Sequence, residues 1–185
     1  MKKLNYPNNI KKKFHKQIDY ANRGMDLEDI INDTNEYLRD NDIALIYKKP
    51  TPIGISKVSY DNNKLSIDKA YFASQSTLDY NGLYDGLYVE FEAKSTECKT
   101  SFPLGNIHEH QVNHIRRVIK HKGVVFLIIR INNLIYMISG KDFLYYIDNN
   151  ERKSIPYDYI KKKGILLTYN YYKGLNYIEY IDKMW

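Results

Sequence analysis

The dipeptide Asp85-Gly86, inside the run DYNGLYDGLYVEFEAKS at residues 79–95, constrains this chain more than any other feature. Both central residues of a tight type I′ turn need φ > 0, and Asp-Gly is among the pairs that tolerate it best. A two-residue turn there sets Tyr84 opposite Leu87 and, stepping outward, every pair whose numbers sum to 171. Asp79 then faces Glu92, and Thr77 faces Lys94. Because side chains alternate across a sheet, Thr77, Asp79, Glu92 and Lys94 share one face. Leu78, Tyr80, Phe91 and Ala93 form an apolar face suited to a core.

Residues directly opposed on paired strands have Cβ atoms about 5 Å apart. Two ionised carboxylates at that distance repel unless one takes a proton or a cation lies between them. A hard divalent cation held by oxygens resolves the conflict. An amine about 7 Å further along the strand can then stabilise charge developing on a phosphate. The same residues admit a plainer reading, in which Glu90, Glu92 and Lys94 alternate charge along an exposed strand face. Spacing alone leaves both open.

At 185 residues, with 43% apolar content, the chain can fill one full-sized core. Its 28 Lys and Arg exceed its 22 Asp and Glu, and a net charge of +6 suits a polyanion such as nucleic acid. Residues 1–18 carry six lysines and no acid, which predicts a basic, flexible arm over residues 1–20. Cys98 is the only cysteine, so no intrachain disulfide forms and a reducing compartment fits. No apolar run is long enough to span a membrane, and no charged start precedes an apolar stretch as in a secretory signal. A cytoplasmic protein is expected.

Leu27, Ile30, Ile31, Thr34, Tyr37 and Leu38 fall at helical spacing. The run DIALIYKK, at 42–49, predicts a strand stopped by PTP. Strand-like runs from Ile53 to Tyr60 and from Lys64 to Asp68 flank DNN, predicting a hairpin with few large apolar residues to bury. Such a hairpin projects and presents Lys57, Lys64 and Lys69. A helix through HEHQVNHIRRVIKHK, strands at GVVFLIIRI and LIYMIS, and a short helix at GKDFLYYI complete an α/β pattern, a mixed sheet flanked by helices. The Tyr- and Lys-rich stretch at 146–185 has no clear pattern and is expected to be an appendage. The run HEHQVNHIRR fails as a zinc-protease motif: Val112 stands where the second His should follow His108-Glu109, and Gln111 replaces the Glu after His110. His110 and His114 are expected at the surface or on phosphate.

Five separated blocks carry a resemblance: GMDLEDIINDTNEYL, IALIYKKPTPI, AYFASQSTLDYNGLYDGLYVEFEAKST, KTSFPL and HEHQVNHI. From Gly24 to Ile129 the chain resembles the RecU type of Holliday junction resolvase, within the PD-(D/E)XK nuclease superfamily. The resemblance implies a restriction-endonuclease-like core over 21–145 with a protruding hairpin stalk at about 50–72. It implies Mg²⁺, or Mn²⁺ in its place, bound by Thr77, Asp79, Glu92 and Gln111. Asp79, Glu92 and Lys94 become the catalytic set, with Lys94 stabilising the transition state. It further implies a homodimer that nicks four-way DNA symmetrically in recombination and repair, with a recombinase as a possible partner. Leu78 departs from the Pro that gives the superfamily its name, and the stretch from Tyr145 onward matches poorly.

DNA contacts are expected at Lys48, Lys49, Lys57, Lys64, Phe72, Arg116 and Arg117. Phe72 also reads as a core residue, Arg116 and Arg117 as a plain exposed face, and Glu28 as a solvated acid. Two other functions fit the same features: a junction-binding recombination modulator that does not cut, and a PD-(D/E)XK nuclease acting on another DNA structure.

Overall fold

A computed structural model of the chain describes residues 26–61, 64–72 and 77–183. The basic arm predicted over residues 1–20 lies outside the described residues. Helix α1 (Leu27–Asp40) leads to strand β1 (Leu45–Lys48), after which the chain forms the hairpin β2 (Ile53–Asp61) and β3 (Lys64–Phe72). It returns as β4 (Tyr80–Tyr84) and β5 (Leu87–Ser95), then passes through the short β6 (Ser101–Pro103). Helix α2 (Glu109–Lys120) crosses to β7 (Val124–Ile131) and β8 (Leu134–Ser139). Helix α3 (Gly140–Asp148), β9 (Ser154–Pro156), helix α4 (Tyr157–Lys163) and β10 (Ile165–Leu167) follow. The small β11 (Tyr169–Asn170) and β12 (Gly174–Leu175) precede a 3₁₀ helix, Asn176–Lys183.

Six strands form one sheet in the order β1-β4-β5-β7-β8-β10. β5 and β7 are parallel, as a helical crossover between neighbouring strands requires, and the other pairs are antiparallel. This is the mixed, helix-flanked sheet that the sequence predicts. The β4–β5 turn also forms as predicted: Asp85 and Gly86 take φ of 45° and 78°, and Tyr84 faces Leu87 in a ladder that runs back to Tyr80 opposite Phe91.

The run VVFLIIRI in β7 is apolar on both faces because both faces are covered. Val124, Phe126 and Ile128 point into one cluster, with Leu27, Ile31 and Leu38 of α1 and Tyr177 and Ile181 of the 3₁₀ helix. Val125, Leu127 and Ile129 point into the other, with Ile115 and Val118 of α2, Phe143 of α3 and Ile160 of α4. In the first cluster the Phe91 ring stacks 4.8 Å from those of both Tyr80 and Phe126, and Tyr177 tilts against it at 5.4 Å.

Four expectations are corrected by this packing. The stretch from 146 onward is no appendage: β10 extends the main sheet, and Ile155, Ile160, Leu175, Tyr177 and Ile181 are buried in the two clusters. Leu78 does not share the face of Tyr80. It lies in the second cluster while Tyr80 lies in the first, because β4 starts at Tyr80 and strict alternation stops there. The β2–β3 hairpin pairs with itself alone and so projects, yet it carries many large apolar side chains, among them Ile53, Ile55, Tyr60, Leu65 and Ile67, all exposed. Phe72 is 81% exposed, which overturns its reading as core.

Candidate active site

β5 is hydrogen-bonded to β4 on one side and to β7 on the other, so its backbone fixes where each side chain emerges. Glu90, Glu92 and Lys94 stand beside Val125, Leu127 and Ile129 of β7, on the face that α2 covers. Glu90 and Glu92 are both 0% exposed. That burial overturns the reading of a solvated, alternating strand face.

Around Glu92 the predicted acids and lysine meet. The Asp79 backbone N–H donates to Glu92 Oε2 at 3.0 Å. Lys94 Nζ lies 2.5 Å from Glu92 Oε1 and 3.5 Å from Asp79 Oδ2, bridging the two carboxylates. Gln111, buried on the first turn of α2, donates from Nε2 to Glu92 Oε1 at 2.7 Å and accepts the His108 N–H on its Oε1 at 2.9 Å. Thr77 is half-buried two residues before Asp79.

The electrostatics of this group are unbalanced. One ammonium between two carboxylates leaves one negative charge in excess. Burial, and then the Asp79 charge, push the Glu92 carboxyl up to about 7, and Lys94 only partly opposes them. Burial also pulls on Lys94, but the adjoining carboxylates win and hold its pKa above the ordinary value. The ammonium therefore stays charged, and the group lacks one further positive charge, which either a proton on Glu92 or a bound cation supplies.

Among the described residues no three His, Cys, Asp or Glu side chains converge as a metal site. The candidate site offers two carboxylates, with further oxygens from neutral groups, Thr77 and Gln111. All-oxygen donors with excess negative charge suit a hard cation such as Mg²⁺. As placed, Gln111 turns its N–H₂ to Glu92 and its carbonyl to the His108 N–H, so its amide would have to turn over to offer an oxygen to a metal there.

A second polar group adjoins the first. The Glu90 carboxylate accepts from Lys49 Nζ, from Tyr88 Oη at 2.9 Å and from His114 Nε2 at 2.8 Å. Burial opposes its ionisation, but Lys49, His114 and Tyr88 prevail and hold its pKa below the usual carboxylate value. Sequence reasoning missed this cluster. Its signal was a matched spacing: Gln111 and His114 are one helical turn apart, and Glu92 and Glu90 are one strand repeat apart. Both steps are about 5–7 Å, so a helix lying along β5 sets the two pairs side by side.

The expected DNA contacts are scattered. Lys48 pairs with Glu28, half-exposed, and Lys49 is committed to Glu90. Lys57 lies 3.7 Å from Asp68, and Lys64 is exposed on the hairpin. Arg116 donates to Asp148 at 2.9 Å. Arg117 is exposed and lines an open cleft of about 530 Å³ with His121 and Lys122. His108 and His110 stack ring on ring at 5.5 Å.

Comparison with known proteins turns on one match: the family model Recombination protein U (RecU) covers residues 22–183. The chain belongs to the RecU family. Its relatives there include the protein named Holliday junction resolvase RecU of Oceanobacillus iheyensis, 43% identical over 195 residues, covering 98% of this chain and 100% of the relative. The protein of the same name from Streptococcus thermophilus is 41% identical over 193 residues, covering 98% and 97%. Among solved structures, Hjc of Archaeoglobus fulgidus, a Holliday junction resolvase, aligns with a TM-score of 0.46 at 7% identity, over 75% of this chain and 94% of that one. The RecU match runs through the C-terminal segment that joins the core, well past Ile129 where the sequence resemblance fades.

Proposed function

We propose that the chain is a metal-dependent endonuclease that resolves four-way DNA junctions by paired nicks. The observation that carries the reading is the meeting of Asp79, Glu92 and Lys94 at one point on β5, in a member of a family whose relatives bear the name Holliday junction resolvase. Asp79 and Glu92, with Thr77 and Gln111, would hold Mg²⁺, or Mn²⁺ in its place. Such an ion polarises a phosphodiester and acidifies water.

The chain's own residues supply the remainder. Gln111 and the Asp79 N–H hold both Glu92 oxygens, so the buried carboxylate keeps one orientation. Lys94, charged and 30% exposed, can turn from the carboxylates toward a phosphate and offset the charge that grows on it during attack. Arg117 and the hairpin lysines Lys57 and Lys64 are exposed cations that would meet DNA backbone.

A homodimer is part of the proposal. The projecting β2–β3 ribbon exposes Ile53, Ile55, Val58, Tyr60, Leu65 and Ile67, more apolar surface than a two-stranded hairpin keeps in water unaided. Two-fold symmetry would set two sites on two strands of like polarity. Association with a recombinase belongs to the proposal too and rests on the family name.

The test is cleavage of labelled four-way DNA in Mg²⁺. Wild type should give symmetric nicks, whereas Asp79→Asn and Glu92→Gln should bind the junction and leave it whole. Both variants cutting at the wild-type rate would overturn the site. Binding without cutting by wild type would favour a junction-binding modulator instead, and preferential cutting of linear DNA a nuclease of another class.

A further inference from the structure

We infer that Lys49 is a positioning residue for the reaction, fixing Asp79 through its backbone and β5 through its ion pair with Glu90. The inference rests on the nuclease reading above and extends it to a residue outside the proposed metal shell.

Lys49 is the first residue beyond β1, where the chain turns out toward the projecting hairpin. Its N–H donates to the Asp79 carbonyl at 2.8 Å, one step beyond the Lys48–Tyr80 pair of the β1–β4 ladder. Asp79 itself precedes β4. Its backbone is held on one side by Lys49 and on the other by Glu92, whose Oε2 accepts the Asp79 N–H. The Lys49 side chain closes a ring: ammonium to Glu90, Glu90 along β5 to Glu92, Glu92 to Asp79, and Asp79 back to Lys49.

Stability alone gives a poor account of this ring. A buried ion pair replaced by neutral groups of like volume usually costs little, whereas removing one partner leaves a stranded charge. Glu90 is wholly buried and is held by three donors, Lys49, Tyr88 and His114, and Lys49 also bonds the backbone of Asp79. The Lys49 side chain is 21% exposed and engaged, so a DNA phosphate would have to displace Glu90 to reach it. Its geometry serves placement, and a misplacement of about 1 Å near a reacting centre can slow a reaction by about 100-fold.

The test compares wild type with Lys49→Met/Glu90→Gln, which removes both charges at similar volume, and with Lys49→Arg, which keeps the pair. Cutting of four-way DNA under single-turnover conditions, junction affinity and thermal melting with and without Mg²⁺ are read together. The double variant should melt close to wild type and bind the junction as tightly. Its cutting rate should fall at least about tenfold, and the rise in melting temperature that Mg²⁺ produces in the DNA-free protein should shrink. Lys49→Arg should recover most of the rate.

A double variant that cuts as fast as wild type, or that Mg²⁺ stabilises equally, overturns the inference. So does a loss confined to junction affinity, which would make Lys49 a DNA contact. If the double variant has no melting transition, Glu90→Gln alone decides: it keeps the volume and one acceptor oxygen while removing the charge that pairs with Lys49, and a wild-type rate overturns the inference. Wild type that leaves the junction uncut overturns the nuclease reading and this inference with it, whereas a cutting wild type with an unimpaired variant overturns the inference alone.

Discussion

Glu92 should make the metal-free protein less stable as pH rises, and the size of the effect follows from its surroundings. The side chain is fully out of solvent, and burial with the Asp79 charge pushes its carboxyl from 4.5 up to about 7. Between those values the folded protein keeps a proton that the unfolded chain has released. The folded state binds more protons there, so stability is fully present below 4.5 and declines as pH climbs through the window. A rise of that size is worth about 3 kcal/mol. Glu92→Gln abolishes this titration and keeps one of the two acceptor oxygens, so either Gln111 or the Asp79 N–H loses its partner, a cost that does not change with pH.

Urea unfolding in a chelating buffer, at closely spaced pH from about 4 to 8, measures the difference between the two proteins. Wild type should lose about 3 kcal/mol relative to Glu92→Gln across that range. The variant, unable to cut, should therefore close on the wild type in stability by that amount toward the alkaline end. Added Mg²⁺ should restore the wild type and leave the variant nearly unmoved, since an ion that binds the folded state stabilises it. Stability curves for the two proteins that stay parallel with pH would refute the argument, because they would mean that Glu92 titrates alike in both states.

Two further outcomes follow from other parts of the molecule. Tyr177→Ala should cost about 3–5 kcal/mol in urea unfolding, because it empties a fully buried ring site beside Phe91 and Phe126. Tyr177→Phe should cost about 1–3 kcal/mol by stranding the buried Asn35 carbonyl, and wild-type stability in both would detach the C-terminal segment from the core. Cys98 has its thiol lowered to about 7, first by the Ser101 hydroxyl and then by Thr100, so iodoacetamide should label it with a midpoint near that pH. An ordinary thiol has its midpoint at about 8.5, and Ser101→Ala should move Cys98 toward it.

How far the sequence reaches depends on the range of the forces involved. The register of β4 and β5 was readable because Asp85-Gly86 sets it locally, and everything from Tyr84 back to Tyr80 follows by counting. Helix α1 was readable because its apolar stripe repeats over three turns. Leu78 was misplaced because counting assumes a strand, and nothing local announces that β4 begins at Tyr80. The burial of Glu90 was hidden for another reason. Its partners Lys49 and His114 lie 41 and 24 residues away, and no short pattern joins them. The C-terminal segment eluded pattern reading because its strands are two or three residues long and its last helix buries only Tyr177 and Ile181, too few to show a period. Tyr177 declares itself as core only once Phe91 and Phe126 are stacked beneath it.

The double-sided bonding of β5 decides where compliance can reside. Its amides are locked between β4 and β7 only as far as Phe91, and from Glu92 to Ser95 the strand is paired with β7 alone, so Glu92 and Lys94 emerge where one flank of β5 falls open. Asp79 occupies that opening, tethered through its own backbone to Glu92 on one side and to Lys49 on the other, and the long arm of Lys94 is what remains to swing toward an incoming nucleic acid.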